Sequence, residues 1–226
     1  MDASGMSRRS VFRTALAALS AYGLSRGAAV HAAPPELSMP SSVAEATFDF
    51  ETHGIEDWTV VDGQWVVEAM PAAPTGRRVL VQRATTNPFN VIVAPPGPFS
   101  DVDVSVKFRP LSGREDASGG LVVRFADGTY YIVRANALED NFRLYAYDRG
   151  RRQLASAAVR KPPLGQWHQV RVVAVGDRIQ AWLNGVRRLD HRDARFASGR
   201  VGLWTKADSV TAFDDLTIRG VPAVRR

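Results

Sequence analysis

The chain has 226 residues, a formal net charge of +6 and no cysteine. The missing thiols exclude disulfide bridges, thiolate metal sites and a cysteine nucleophile. The basic residues are nearly all arginine and are scattered instead of forming a stripe, which argues against a nucleic-acid partner.

The first segment reads as an export leader. Arg8 and Arg9 precede an apolar run over 14–24 and a small-residue site, Val30-His31-Ala32. This is the order of a positive region, a hydrophobic region and a cleavage site, and the paired arginines resemble a twin-arginine export signal. The run falls short of the ~20 residues a membrane span needs, so no integral membrane segment is expected once residues 1–32 are removed. The alternative is an uncleaved N-terminal anchor. Arg8, Arg9, Arg13 and Arg26 against Asp2 carry +3 of the +6 into the leader. The expected location is periplasmic or secreted.

Residues 33–44 read as a proline-rich linker, 45–220 as one folded domain and 221–226 as a C-terminal tail. From residue 46 onwards, runs rich in Val, Ile, Tyr, Phe and Trp recur about every ten residues between turn signals. Asp62-Gly63, Asp127-Gly128 and Asn184-Gly185 predict tight hairpins, and Gly176-Asp177 adds another. EATFDFE predicts the first strand. In DVDVSVKFR, Val102, Val104, Val106 and Phe108 share a face opposite Asp103, Ser105, Lys107 and Arg109. In GDRIQAWLNG, Ile179, Ala181 and Leu183 oppose Arg178, Gln180 and Trp182. Some dozen half-buried strands of this kind predict an all-β sandwich of two antiparallel sheets, with an up-and-down barrel as the alternative.

The segment around Asp127-Gly128 carries chemistry. Alternation puts Leu121, Val123 and Phe125 with Tyr131, Val133 and Ala135 on one face, joined by Phe142, Leu144 and Ala146. The reverse face collects Arg124, Tyr130, Arg134, Asn136, Arg143, Tyr145 and Tyr147. Such a face is solvated, paired with carboxylates or lined up for a ligand, since an unpaired buried charge costs several kcal/mol. Flat phenol rings and rigid guanidinium forks suit a sugar or an acidic glycan. Glu139, Asp140 and Asn141 in the connecting loop supply acceptors at the rim or pair with the arginines.

The segments GLVVRFADGTYYIVRANALEDNFRLYAYDRGRRQLA, GQWHQVRVVAVGDRIQAWLNGVRRLDHRD and GRVGLWTKADSVTAFDDLTI resemble the concanavalin A-like lectin/glucanase superfamily. The resemblance is to its DUF1080 branch, the 3-keto-disaccharide hydrolase-like domains, over roughly 48–220. It implies a jelly-roll β-sandwich whose concave sheet carries any sugar site. On that resemblance, Arg124, Tyr130, Arg134, Asn136, Arg143, Tyr145, Trp204 and Lys206 lie on or beside the concave sheet, which the loop residues Glu139 and Asn141, read above as rim acceptors, adjoin.

A conventional glucanase is not expected. Retaining glycosidases need two carboxyls ~5 Å apart, and no strand of the arginine-rich region offers an i, i+2 carboxylate pair. Cleavage beside a ketone needs only one base and an electrophile, and His168, Glu68, Glu139 and Asp103 are the candidate bases. His53 and His191 have no zinc-ligand spacing. No catalytic cofactor is expected; a structural calcium held by Asp214 or Asp215 with Asp49 or Glu51 is an alternative to aspartates that cap backbone donors. Of the tryptophans, Trp58, Trp65 and Trp167 read as packing, and Trp182 and Trp204 as possible platforms. Three functions follow from these residues: a carbohydrate-binding domain, a hydrolase or lyase of 3-keto-glycosides, and an envelope scaffold.

Overall fold

The computed structural model describes residues 35–40 and 43–224; the expected leader, its cleavage site and the end of the tail lie outside the described residues. Fifteen strands follow in order: β1 (Ala44–Phe48), β2 (Thr59–Asp62), β3 (Trp65–Ala69), β4 (Arg78–Gln82), β5 (Phe89–Val93), β6 (Phe99–Ser112), β7 (Ser118–Ala126) and β8 (Thr129–Asn136). The remainder are β9 (Glu139–Tyr147), β10 (Arg151–Ala158), β11 (His168–Val175), β12 (Arg178–Leu183), β13 (Val186–Arg192), β14 (Arg200–Lys206) and β15 (Val210–Pro222). Among the described residues there is no helix.

Sheet 1 runs β13-β12-β11-β6-β15-β4-β3, with β1 also paired to β15, and sheet 2 runs β10-β9-β8-β7-β14-β5-β2. Every strand pairing is antiparallel. The chain is therefore the all-β, two-sheet jelly-roll sandwich that alternation and resemblance predict.

The core between the sheets follows the period-two pattern. Val102, Val104, Val106 and Phe108 of β6 face Leu121, Tyr131, Val133, Phe142 and Leu144 of sheet 2 in one apolar cluster, which Ile179, Ala181 and Leu183 extend. Each large side chain buried there contributes roughly 1.5–3 kcal/mol. Polar ties also cross this interior, among them Thr211 Oγ1 of β15 donating to Ser118 O of β7 at 2.8 Å. Gln82 Nε2 of sheet 1 donates to Thr205 Oγ1 of sheet 2 at 3.2 Å, and Asn90 Nδ2 donates to the same oxygen at 3.1 Å.

Three of the four turn signals close hairpins: β7–β8, β11–β12 and β12–β13. Asp62-Gly63 does not. It passes from β2 in sheet 2 to β3 in sheet 1, so the glycine's positive φ of 98° serves a corner between sheets. The linker also departs from a free tether where it is described. Leu37 N donates to Gln180 Oε1 at 2.8 Å, and Glu36 pairs with Arg171, which lies over the Trp182 ring. Trp182 thus sits on the outer face of sheet 1, away from the arginine-rich strands.

Candidate functional site

The outer face of sheet 2 is built by alternate residues of five strands. Val91 and Val93 of β5, Val122 of β7, Tyr130 and Ile132 of β8, Tyr145 of β9 and Trp204 of β14 form a second apolar cluster, separate from the main core. Phe89, Phe125 and Tyr147 pack against it. The sheet is strongly curled: the rings of Phe89 in β5 and Tyr147 in β9 meet at 5.6 Å although three strands lie between them. The result is a concave face with an aromatic floor.

One end of that floor is polar. Arg134 donates to Glu139 Oε2 at 2.8 Å and to Asn141 Oδ1 at 2.9 Å, while Asn141 Nδ2 donates to the same glutamate at 2.8 Å. Arg143 approaches Glu139 at 3.5 Å. The Tyr145 hydroxyl accepts from both guanidinium groups at 3.3 Å. Burial pushes the Glu139 carboxyl up, but the Arg134 and Asn141 hydrogen bonds outweigh it and hold the group below the usual glutamate range.

The other sequence-predicted residues separate into distinct environments. Trp204 is fully buried at the middle of the floor, its ring 5.7 Å from Phe89. Lys206 stands at the rim, 3.5 Å from Glu115 and 3.6 Å from Asp116. Asn136 is buried, and its Oδ1 accepts from Ala117 N and Leu138 N, which shapes the β8–β9 turn. Tyr130 lies at the far, aromatic end, stacked at 4.8 Å on Tyr147 and at 5.6 Å on Phe125.

Arg124 does not join them. The β7–β8 register shifts between Val123 and Ala126, and Arg124 takes a φ of 57°. A β-bulge of this kind re-aims the side chains that follow it. The guanidinium turns to the end of the sandwich, where it donates to the carbonyls of Phe196, Ser100 and Gly176 at 2.9, 3.1 and 2.7 Å. Burial lowers its pKa from the ordinary arginine value, although Tyr131 and Asp101 act in the opposite direction. By the same bulge, Phe125 leaves the core row that alternation assigns it and joins the concave face.

A cleft of about 300 Å3 opens at the aromatic end, lined by Val61, Asp62, Phe89, Phe125, Tyr130 and Tyr147 among others. Burial, and secondarily the neighbouring Tyr147 phenol, push the Tyr130 pKa well above the usual tyrosine value, so this phenol keeps its proton at neutral pH. Asp62 Oδ1 accepts from Gly63 N and from Asn87 Nδ2 at 2.8 and 2.7 Å. Phe89, Phe125, Asp62 and Arg151 escape sequence reasoning. The first and third come from β5 and β2, which reach this face only through sheet order and curl. Arg151, at the start of edge strand β10, lies over the rings of Tyr145 (4.4 Å), Phe89 (5.5 Å) and Trp204 (5.9 Å).

Of the four candidate bases, only Glu139 is on this face. His168 is tucked against Phe108, with its nitrogens facing Pro163 O and Asn184 Nδ2. Glu68 pairs with Arg83, and Asp103 with Arg171 on the outer side of sheet 1. The carboxylates considered for calcium are engaged elsewhere. Asp214 accepts from Thr75 N and Asp215 N, Asp215 pairs with Lys107, Glu51 accepts from Arg77 N and Arg78 N, and Asp49 accepts from Glu51 N. No group of three or more His, Asp or Glu among the described residues is placed to hold a metal ion.

Comparison with solved structures shows the fold. The chain is similar to the carbohydrate binding module CBM66 from Bacillus subtilis, with a TM-score of 0.62 and 19% identity over 73% of this chain and 96% of that one. It is also similar to a Bacillus subtilis protein of unknown function with a galectin-like fold (TM-score 0.55, 14% identity, 76% and 92% covered). A third likeness is to domain 4 of AbnA, a GH43 extracellular arabinanase from Geobacillus stearothermophilus, in complex with arabinotriose (TM-score 0.53, 13% identity, 80% and 95% covered). No curated protein sequence matches the chain. The family profile of the 3-keto-alpha-glucoside-1,2-lyase-like domain matches residues 45–219, nearly the whole folded domain, and the chain belongs to that family.

Proposed function

We propose that this is an exported carbohydrate-directed domain that cleaves 3-keto-glycosides by elimination in the cleft at the aromatic end of sheet 2. The observation that carries it, in a chain of this family, is a cleft lined by one carboxylate, Asp62, and by the phenols of Tyr130 and Tyr147, of which Tyr130 is the more firmly protonated through burial. A ketone at C3 acidifies the C2 proton, so the chemistry asks for one base and one electrophile instead of two matched carboxyls. Asp62 takes the C2 proton. Tyr130 donates to the C3 oxygen as enolate charge develops there. The electron pair then forms the C1–C2 double bond, the C1–oxygen bond breaks, and the aglycone leaves and takes up a proton. The stacked rings of Phe125, Tyr130 and Tyr147 give the apolar side of a sugar ring a surface to lie on. The volume, near the lower end for ligand pockets, suits one sugar ring. The leader-like start of the sequence supports the exported location.

The test is incubation with a chromogenic 3-keto-α-glucoside, following aglycone release and the ultraviolet absorbance of the conjugated enone. Asp62→Asn and Tyr130→Phe are each expected to slow release by about 100-fold or more with the fold retained by circular dichroism. Turnover unchanged in Asp62→Asn would overturn the assignment of the base. Binding without any turnover in the wild type would leave a sugar-binding domain only.

A further inference from the structure

Among the described residues, most arginines that make ion pairs do so one to one. Arg83, Arg178, Arg192, Arg195 and Arg219 each have a carboxylate partner, and Arg171 has two. The concave face breaks this rule. Arg134, Arg143 and Arg151 converge on Tyr145, two through its hydroxyl and one over its ring, with Glu139 the one carboxylate among them. Glu139 is taken by Arg134 and Arg143. Arg151 therefore has no ion pair among the described residues, and its NH1 is buried without a hydrogen-bond partner.

Arg151 is partly exposed, and the contacts the protein gives its charge are ring faces. Cation–π contact at a partly exposed site returns about 0.5–1 kcal/mol and leaves the buried NH1 donors of the fork unused. These unused donors fall beside the cleft: Arg151 lies over Phe89 and is the cross-strand partner of Tyr147, and both rings line it. An anionic ligand group arriving there would supply the missing counter-charge, and the planar guanidinium fork matches a carboxylate with two parallel hydrogen bonds.

We propose that the site selects acidic glycosides, with Arg151 as the residue that recognises a carboxylate on the sugar or its aglycone. This deepens the carbohydrate reading of the face and rests on it. On ligand entry the guanidinium exchanges ring contact for the carboxylate and uncovers part of the Tyr145 and Trp204 surface.

The experiment is calorimetric titration of the full chain with a matched pair, methyl α-glucuronide and methyl α-glucoside. The wild type is expected to bind the glucuronide about tenfold tighter or more, with the preference shrinking as salt is raised. Arg151→Gln is expected to abolish the preference, so that the two sugars bind with equal affinity, and Arg151→Lys to restore part of it. Equal binding of the two sugars by the wild type, or a preference that survives Arg151→Gln, overturns the proposal and leaves the carbohydrate reading standing. Binding of neither sugar, nor of a 3-keto-glucoside, removes both.

Discussion

Arg134 and Arg143 stand directly opposite each other across β8 and β9, and both reach the carboxylate of Glu139. Like charges in facing positions of a sheet destabilise it, so Glu139 holds the polar end of the concave face together. Glu139→Gln is expected to cost about 1–2 kcal/mol, less than a fully buried pair would because the glutamate is partly exposed. The folded-state pKa is depressed. Its contribution is therefore present above the unfolded glutamate value and fades as pH falls through the lower folded one. Urea titrations at pH 7 and pH 3 check both: the gap between wild type and variant should narrow at the acidic end.

Arg124 satisfies three backbone carbonyls at the end of the sandwich. Arg124→Met keeps the apolar bulk but leaves those carbonyls unpaired, and a loss of about 3–5 kcal/mol is expected. Arg124→Lys should recover less than half, because one ammonium on a flexible stem cannot reproduce the planar fork. Chemical denaturation of both variants, with unchanged sugar binding in whatever remains folded, would confirm a structural role.

Asp214 is fully buried, and burial pushes its pKa up to about 6. The folded state then holds a proton that the unfolded chain releases near pH 4. The sign is the reverse of the Glu139 case: this group's contribution is complete below the unfolded value and is lost as pH rises to the folded one. By the usual conversion of a pKa difference, the change is about 3 kcal/mol between pH 4 and 7. Asp214→Asn should flatten that decline in the stability curve, even though the amide replaces only one of the two acceptor oxygens.

The Tyr131 hydroxyl donates to Asp193 Oδ1 at 2.6 Å and accepts from Phe196 N at 3.1 Å. Burial, with the Asp193 hydrogen bond, pushes this phenol up to about 12. Tyr131→Phe removes both bonds and is expected to cost about 1–2 kcal/mol. Amide exchange at Phe196 should accelerate while amides in the middle of β8 remain protected.

The architecture was readable because β6, β8, β9 and β12 keep strict alternation, and Val104, Val133, Leu144 and Ala181 all fall in the core where that period puts them. Arg134, Arg143 and Tyr145 share the face that the same rule assigns them, with Glu139 and Asn141 beside them. Arg124 and Phe125 fail the rule for one local reason, the bulge that inserts a left-handed residue into β7. A bulge has no compositional mark here, since arginine is not a residue that favours positive φ. The cleft was invisible for a different reason. Asp62, Phe89 and Arg151 are far apart in sequence and come together only through strand order and sheet curl, which periodicity does not encode.

The Gln82–Thr205–Asn90 contact has a consequence for the whole sandwich. Two greasy sheets can slip past one another at little expense, since one aliphatic neighbour is nearly as good as the next. A slide of even one residue pair would strand an amide and a hydroxyl in a dry interior, each losing a bond worth keeping. These three side chains thus act as an index pin between the layers. Because Trp204 is the residue before Thr205, and Phe89 the residue before Asn90, the same pin fixes where two of the rings of the concave floor come to rest.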